Sequence, residues 1–380
     1  MKDFDFHNPT RLIFGRGTIS RIGQEVRQAG CRSLLLVAGG GSIRANGVYE
    51  AVTASLEAAA VEWTELWGVQ PNPVLSKVRQ GIAAVRDHQA DAVLAVGGGS
   101  VLDSGKAIAA GVFLDDVWRA AGKRITLTEA LPIFTVVTLS ATGSEMNPLA
   151  VITNQAEKKK WAMTGPALFP RISIIDPSVQ ASLPWGQTVN GAIDAMGHVM
   201  EQYFTAWGSE ATMAVQEALL RTIVAAADRL QEAPQDYPAR ADLAWAAALA
   251  LSGICRAGAG TGDFGTHLIE HGLSAVRPDV AHATGLGILF PAWVQYAYEV
   301  NPPIFDRWAD RVWGAEGMAA GAAAMKAKVK QWGHPTSLRQ IGIAESQLAE
   351  IAANAAQIGQ VGNLVKLKEP DILEVLKLAY

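Results

Sequence analysis

His198, His267, His271 and His282 are four of the seven histidines in this chain of 380 residues. In the run Asn190-Gly191-Ala192-Ile193-Asp194-Ala195-Met196-Gly197-His198, the carboxylate and the imidazole are four residues apart. On a helix they project from one face and can share one ion. The same spacing recurs in Thr266-His267-Leu268-Ile269-Glu270-His271, and His282 follows eleven residues later. Asp194, His198 and two further histidines make a set of one hard oxygen and three imidazoles, which suits a divalent Fe, Zn or similar borderline cation. No cysteine neighbours the set, so it does not read as a thiolate-rich structural zinc site. An open coordination position for substrate, as catalytic sites keep, fits it better. For any one of these histidines alone, a hydrogen-bonded core residue is the plain alternative.

A second group of residues has the chemistry of phosphate binding. Leu34-Leu35-Leu36-Val37-Ala38 runs into Gly39-Gly40-Gly41-Ser42, and Ala92-Val93-Leu94-Ala95-Val96 runs into Gly97-Gly98-Gly99-Ser100. A strand that ends in glycines and opens a helix lets backbone N–H groups approach a phosphate, with the helix N-terminus adding favourable electrostatics. Neither turn has the Gly-x-Gly-x-x-Gly spacing of the usual dinucleotide fingerprint, so each taken singly is also explained as a tight turn. Together with Thr138-Leu139-Ser140-Ala141-Thr142-Gly143-Ser144-Glu145 after a third apolar run, they point to one dinucleotide lying across the strand ends of an open α/β sheet.

The elements that must position these groups follow from the hydrophobic pattern. Continuous apolar strands occur where helices cover both sheet faces, and residues 47–59 and 76–88 carry the helical period between the strands. Further strands are expected at 133–139 and 171–175, and the turn-rich 176–184, with Asp176-Pro177 and Leu183-Pro184, ends this half. Beyond it, Ala- and Leu-rich stretches at 210–230 and 239–255 predict helices throughout. The expected fold is an N-terminal Rossmann-like α/β parallel-sheet domain, residues 1–184, and an all-α C-terminal domain, residues 185–380, with a cleft between them. Lys158 and Lys159 are expected in a solvated loop.

Composition narrows the function. Hydrophobic residues make up 49% and charged residues 18%, with a formal net charge of -4, values of an ordinary globular enzyme with no general attraction for nucleic acid or anionic membranes. Cys31 and Cys255 are the two cysteines and read as buried free thiols rather than a disulfide framework. With no signal-peptide pattern at the start and no apolar run of membrane-spanning length, a cytoplasmic setting is expected.

With these motifs in order, the sequence resembles the iron-containing (group III) alcohol dehydrogenase family, and within it the NADPH-dependent aldehyde reductase and butanol dehydrogenase branch. The resemblance runs over nearly the whole chain: Asn8-Pro9-Thr10-Arg11-Leu12-Ile13-Phe14-Gly15-Arg16-Gly17, Gln70-Pro71-Asn72-Pro73, Gly97-Gly98-Gly99-Ser100-Val101-Leu102-Asp103, Thr142-Gly143-Ser144-Glu145 and the histidine block. It implies a dehydroquinate-synthase-like architecture, usually dimeric, with Asp194, His198, His267 and His282 as ligands of Fe2+ or Zn2+ and His271 as a proton-relay residue beside the substrate and nicotinamide. It further implies that Gly98, Gly99, Ser100 and Asp103 hold the pyrophosphate and nicotinamide side, with Asn72, Thr138, Asn147, Lys160 and Leu183 as further cofactor contacts.

Members that use NAD commonly carry an aspartate where this chain has Gly39, so Gly39, Gly40, Gly41 and Ser42 imply NADPH over NADH. The chain departs from the family in having Ala141 before the Thr-Gly-Ser-Glu turn and Ala281-His282-Ala283 around the last ligand, where Pro-His-Gly is common. The implied reaction is hydride transfer between NAD(P)H and a small aldehyde or primary alcohol. A dehydroquinate-synthase-like lyase or polyol-phosphate dehydrogenase on the same scaffold would need a basic pocket, and the helical half offers only scattered residues such as Arg256 and Arg277. A metal- or nucleotide-binding protein without turnover is the rival from another class.

Overall fold

In the computed structural model, which describes every residue except Arg124, the long apolar runs form the centre of a parallel sheet. The strands are β1 (Arg11–Phe14), β2 (Ser33–Ala38), β3 (Glu62–Leu66), β4 (Ala92–Gly97), β5 (Ile133–Val137), β6 (Leu149–Asn154), β7 (Lys159–Thr164) and β8 (Ile172–Ile175). Six of them make one sheet in the order β1-β8-β5-β4-β2-β3, and β6 and β7 form a separate antiparallel hairpin. Helices α1 (Ile22–Gln28), α2 (Ser42–Ala45), α3 (Val48–Ala58), α4 (Leu75–His88) and α5 (Gly99–Gly111) connect the strands of the large sheet.

The strand faces explain the layers. Leu34, Leu36, Leu94, Val96, Phe134 and Ile174 turn to one side, where they pack with Ile22 and Val26 of α1 and Val52 and Leu56 of α3. The alternate residues face α4 and α5; Ala95, for example, meets α5 so closely that a Cβ on Gly105 would lie 2.9 Å from its own. Leu34, Leu35, Leu36 and Val37 are all 0% exposed, each burial worth about 1.5–3 kcal/mol.

The remaining helices are α6 (Trp185–Tyr203), α7 (Glu210–Glu232), α8 (Tyr237–Ala250), α9 (Gly265–Val276), α10 (His282–Ala297), α11 (Pro302–Trp313), α12 (Gly317–Gln331), α13 (Leu348–Ala356) and α14 (Glu369–Leu378). Helix α10 is buried along most of its length and packs against α6, α9, α12 and α14. Trp293, Phe204, Phe305 and Trp308 are 0% exposed, and the rings of Phe204 and Phe305 stack at 4.5 Å.

The chain divides into two compact units. The α/β unit takes Asn8–Pro184 and Ala233–Ala248, and the helical unit takes Met1–His7, Trp185–Glu232 and Leu249–Tyr380. Two segments therefore sit in the opposite unit from the one expected. The Met1 amino group donates to the Gly208 carbonyl at 3.1 Å and Lys2 N to that of Gly258 at 3.0 Å, which anchors the first residues in the helical unit. The Arg16 guanidinium lies 4.2 Å from the Tyr237 ring centroid, and Phe14 meets Trp245 edge-on at 6.3 Å, which holds most of α8 in the α/β unit.

Local differences have local causes. The helix expected over 239–255 ends at Ala250, because Gly253 takes φ 101 and restarts the chain as a 3-10 turn, Ile254–Arg256. The short edge strands β1 and β3 and the β6–β7 hairpin were not expected. Lys158 lies in the hairpin turn at φ 50, but Lys159 opens β7, with its ammonium 2.8 Å from Glu157 and 4.8 Å from the Trp161 ring. Both cysteines are buried and free, and among the described residues no helix is long and apolar enough to cross a membrane.

Candidate active site

The helical unit collects the histidines. Asp194 and His198 lie one turn apart on α6, which is buried from residue 191 to its end. His267 and His271 lie one turn apart on α9, and His282 is the first residue of α10. The Oδ1 atom of Asp194 is buried and accepts no hydrogen bond. It stands 3.6 Å from His282 Nε2, 3.9 Å from His267 Nε2 and 3.9 Å from His198 Nδ1.

These separations are too long for hydrogen bonds and close to the spacing of atoms that share an ion: ligands of a tetrahedral cation at ordinary bond lengths stand about 3.4 Å apart. Ligand atoms of Asp194, His267 and His282 all lie within 4.8 Å of one another. His198 adjoins this group, its ring stacked on that of His267 at 4.7 Å. The donor set, one carboxylate oxygen and imidazoles, therefore fits a divalent transition metal.

Two carboxylates that spacing did not single out orient the rings. Glu201 Oε1 accepts from the backbone N of His267 at 3.0 Å and meets its Nδ1 at 2.9 Å. Glu270 Oε2 contacts Nδ1 of His282, while Glu270 Oε1 accepts from the Ser274 hydroxyl. Both glutamates are 0% exposed. With each Nδ1 engaged by a carboxylate, Nε2 is the nitrogen that each ring turns toward Asp194, the arrangement that orients imidazole ligands around metals. Burial pushes the Glu201 carboxyl up to about 8, opposed by backbone N–H groups at the start of α9.

Glycine makes the approach possible. A Cβ on Gly285 would lie 2.7 Å from Glu270 Cγ, so a side chain there would displace the carboxylate that holds His282. Ala281, where the family often has proline, takes φ -66 and ψ 137, the angle proline itself would fix. His271 is half-buried, its ring 5.6 Å from that of His282, and with Glu270 and His282 it forms a second cluster of ligand type.

In the α/β unit the glycine turns stand side by side. The connection from β2 to β3 leads one way across the sheet and that from β4 to β5 the other, so the strand order reverses between the adjacent strands β2 and β4. Ligands of open α/β sheets bind at such a reversal, beyond the carboxyl ends of the strands. Gly39–41 leaves β2, and Gly97–Gly98 leads from β4 into α5, a helix of thirteen residues. Helix α2, after the first turn, has four residues, because Asn46 and Gly47, at φ 79, break it. The helix-end electrostatics expected at Gly39–41 are correspondingly small, since macrodipoles need length.

The Thr142–Gly143 turn is built against the second glycine turn. A Cβ on Gly99 would lie 2.4 Å from Thr142 Cγ2, and Thr138 N donates to Gly97 O at 3.0 Å. Ser144 Oγ donates to Asp103 Oδ1 at 2.7 Å, and Val151 N to Asp103 Oδ2 at 2.9 Å. Asn147 donates to Gly143 O at 2.8 Å and accepts from Leu149 N at 2.9 Å and from Lys106 Nζ at 3.2 Å. The amide of Asn147, 2% exposed, thus works as a loop tie.

Lys106, a residue the motifs did not bring out, is fully buried, and burial lowers its ammonium to about 8 against the opposing charges of Asp103 and Glu145. Asn72 takes φ 54, and Pro73 beside it accepts from Thr153 N at 2.8 Å. Lys160 pairs with that same Thr153 across the hairpin and is 5% exposed. Leu183 closes the 3-10 turn Val179–Ser182, whose Gln180 donates to Ser140 Oγ at 2.8 Å. All of these residues lie in the α/β unit.

Known proteins resemble this chain over nearly its whole length. The model of the iron-containing alcohol dehydrogenase family matches residues 9–177, and the model of the C-terminal region of the Fe-containing alcohol dehydrogenase family matches residues 188–380. The chain is 40% identical to a probable NADH-dependent butanol dehydrogenase 2 of Bacillus subtilis, with 99% of each chain covered. It is 32% identical to the NADPH-dependent aldehyde reductase YqhD of Escherichia coli, with 94% of each covered. The crystal structure of an NADH-dependent butanol dehydrogenase A from Thermotoga maritima superposes with a TM-score of 0.98 at 46% identity, covering 100% of this chain and 99% of the other.

Proposed function

We propose that this chain, which belongs to the iron-containing alcohol dehydrogenase family, is a metal-dependent oxidoreductase that moves hydride between a nicotinamide dinucleotide and a small aldehyde or primary alcohol, with NADPH preferred. The observation that carries this reading is the buried Asp194 Oδ1 faced by three imidazole nitrogens at 3.6–3.9 Å. When bound, the metal supplies Lewis-acid polarisation of a carbonyl group and the nicotinamide supplies hydride.

Asp194, His198, His267 and His282 would hold Fe2+ or Zn2+, and Glu201 and Glu270 keep the His267 and His282 rings turned toward it. His271 handles the proton, giving one to the product oxygen in reduction and taking one from the alcohol in oxidation. Such acid–base assistance is worth about 10²–10⁴-fold. Gly98, Gly99, Ser100 and Asp103 hold the pyrophosphate and nicotinamide side, with Asn72, Thr138, Asn147, Lys160 and Leu183 around the rest of the cofactor. Arg277 is engaged with Asp279 at 2.7 Å, which removes one candidate for the basic pocket that an anionic substrate would need. A homodimer and a cytoplasmic setting belong to the same proposal, on the family resemblance.

The preference for NADPH rests on Gly39, which presents no carboxylate to a 2′-phosphate. The test is kcat/KM for NADPH and NADH with one aldehyde, in the parent and in Gly39→Asp. A Cβ at Gly39 would meet Val69 O at 3.5 Å and Val101 Cγ2 at 3.7 Å, which are ordinary contacts, so the aspartate can be accommodated. The parent should favour NADPH, and the variant should lose NADPH efficiency on the order of 10²-fold through like-charge repulsion. A parent that favours NADH, or a variant with unchanged NADPH efficiency, removes the preference. Absence of turnover with either cofactor would return the protein to the binding class.

A further inference from the structure

One cationic side chain beside the first glycine turn is held against two aromatic rings. Arg44 lies one turn beyond Gly41, its backbone N donating to Gly41 O at 3.0 Å. The guanidinium carbon stands 4.0 Å from the centroid of the Trp67 ring and 5.0 Å from that of Tyr49. Arg44 Nη2 is 3.5 Å from Glu65 Oε2. The Glu65 carboxylate is itself fixed by three neutral donors, Tyr49 Oη at 2.5 Å, Trp67 Nε1 at 2.5 Å and Trp63 Nε1 at 3.2 Å.

This platform belongs to the same end of the sheet as the turn. Gly68 N donates to Gly39 O at 3.1 Å and Val69 N to Ala38 O at 3.2 Å, so the chain that carries Trp67 runs along the Gly39 turn. Stacking uses the face of a guanidinium, whereas its N–H groups donate in the plane. The Arg44 side chain remains 54% exposed, so it stays open to a ligand while the ring contacts fix its position and reduce the entropy lost on binding.

We propose that Arg44 is a specificity-determining residue that reads the 2′-phosphate of the adenosine ribose, with Trp67, Tyr49 and Glu65 holding its guanidinium in place. The inference rests on the reading that NADP(H) binds along these strand ends. It adds to the missing carboxylate at Gly39 a positive element that attracts the phosphate.

The test measures dissociation constants of the full chain for 2′,5′-ADP and 5′-ADP by calorimetry, in the parent, Arg44→Ala and Arg44→Lys. Loss of a charge-assisted phosphate contact weakens binding about 10-fold to 100-fold. Arg44→Ala should show that loss for 2′,5′-ADP and stay within about 2-fold for 5′-ADP, with Arg44→Lys, which keeps the charge without the planar fork, in between. Equal weakening of both ligands, or of neither, overturns the role of Arg44. The preference for NADPH is judged separately, on whether the parent favours 2′,5′-ADP. A parent without that preference whose Arg44→Ala variant still loses 2′,5′-ADP selectively keeps Arg44 as the phosphate reader. A parent that binds neither ligand overturns both.

Discussion

His271 shares a helix with His267 but has a different environment. Nδ1 of His267 is held by the buried Glu201, and that of His282 by Glu270, whereas His271 is half-buried at the side of the cluster. In the proposed function it handles the proton rather than binding the metal. His271→Ala should therefore retain its metal and slow turnover by about 10²-fold, the lower end for a lost acid catalyst, as measured by metal analysis beside single-turnover rates. Loss of metal in this variant would favour the alternative cluster of Glu270, His271 and His282. The pairs Asp194/His198 and His267/His271 were legible in the sequence because a helical period of four marks them. Glu201 continues the Asp194 face of α6 at the seventh position, but its function depends on α9 being brought against it, and no local spacing states that. Glu270 was likewise visible only as a neighbour of His271 until α10 supplied His282.

At the scale of elements, the strands that had no exposed face were readable: β2 and β4 are continuous apolar runs because helices cover both their sides. β3, with Glu62, Trp63, Thr64 and Glu65, is an edge strand whose polar residues hid it, and β1 is too short to show a period. The hairpin was masked by Lys158 in its turn and by Lys159 and Lys160, which open β7. Sequence also overestimated α2, since a serine after three glycines looks like a helix start while the break at Gly47 comes only five residues later.

The Thr142–Glu145 turn carries a stability consequence of its own. Glu145, 1% exposed, is pushed by burial up to about 7 from 4.5, with Lys106 opposing the rise. In the folded state the carboxyl holds its proton in the range where the unfolded chain has released it. Its contribution is complete below the unfolded value near 4.5 and is lost as pH rises through about 7, a loss of up to about 3 kcal/mol. Urea midpoints at pH 5 and pH 7 should show the parent losing stability relative to Glu145→Gln as pH rises. Parallel midpoints in the two proteins would mean that Glu145 is ionised in the fold throughout.

The whole molecule separates its chemistry by unit. Every residue proposed for the dinucleotide lies in the α/β unit, and Asp194 and the four histidines lie in the helical one. That division follows from what each architecture offers: strand ends and helix starts present backbone N–H groups to phosphates, while packed helices present imidazoles from facing sides. The proposed function requires a metal in the helical unit for hydride transfer, and His267 is the residue on which most of that site's geometry converges. It faces Asp194, stacks on His198 and is oriented by Glu201. The direct measurement is bound Fe and Zn together with NADPH-dependent aldehyde reduction in parent and His267→Ala, with circular dichroism as the control for folding. The expected result is a folded variant that has lost both metal and activity; a metal-free His267→Ala protein that turns over normally would overturn the metal's role.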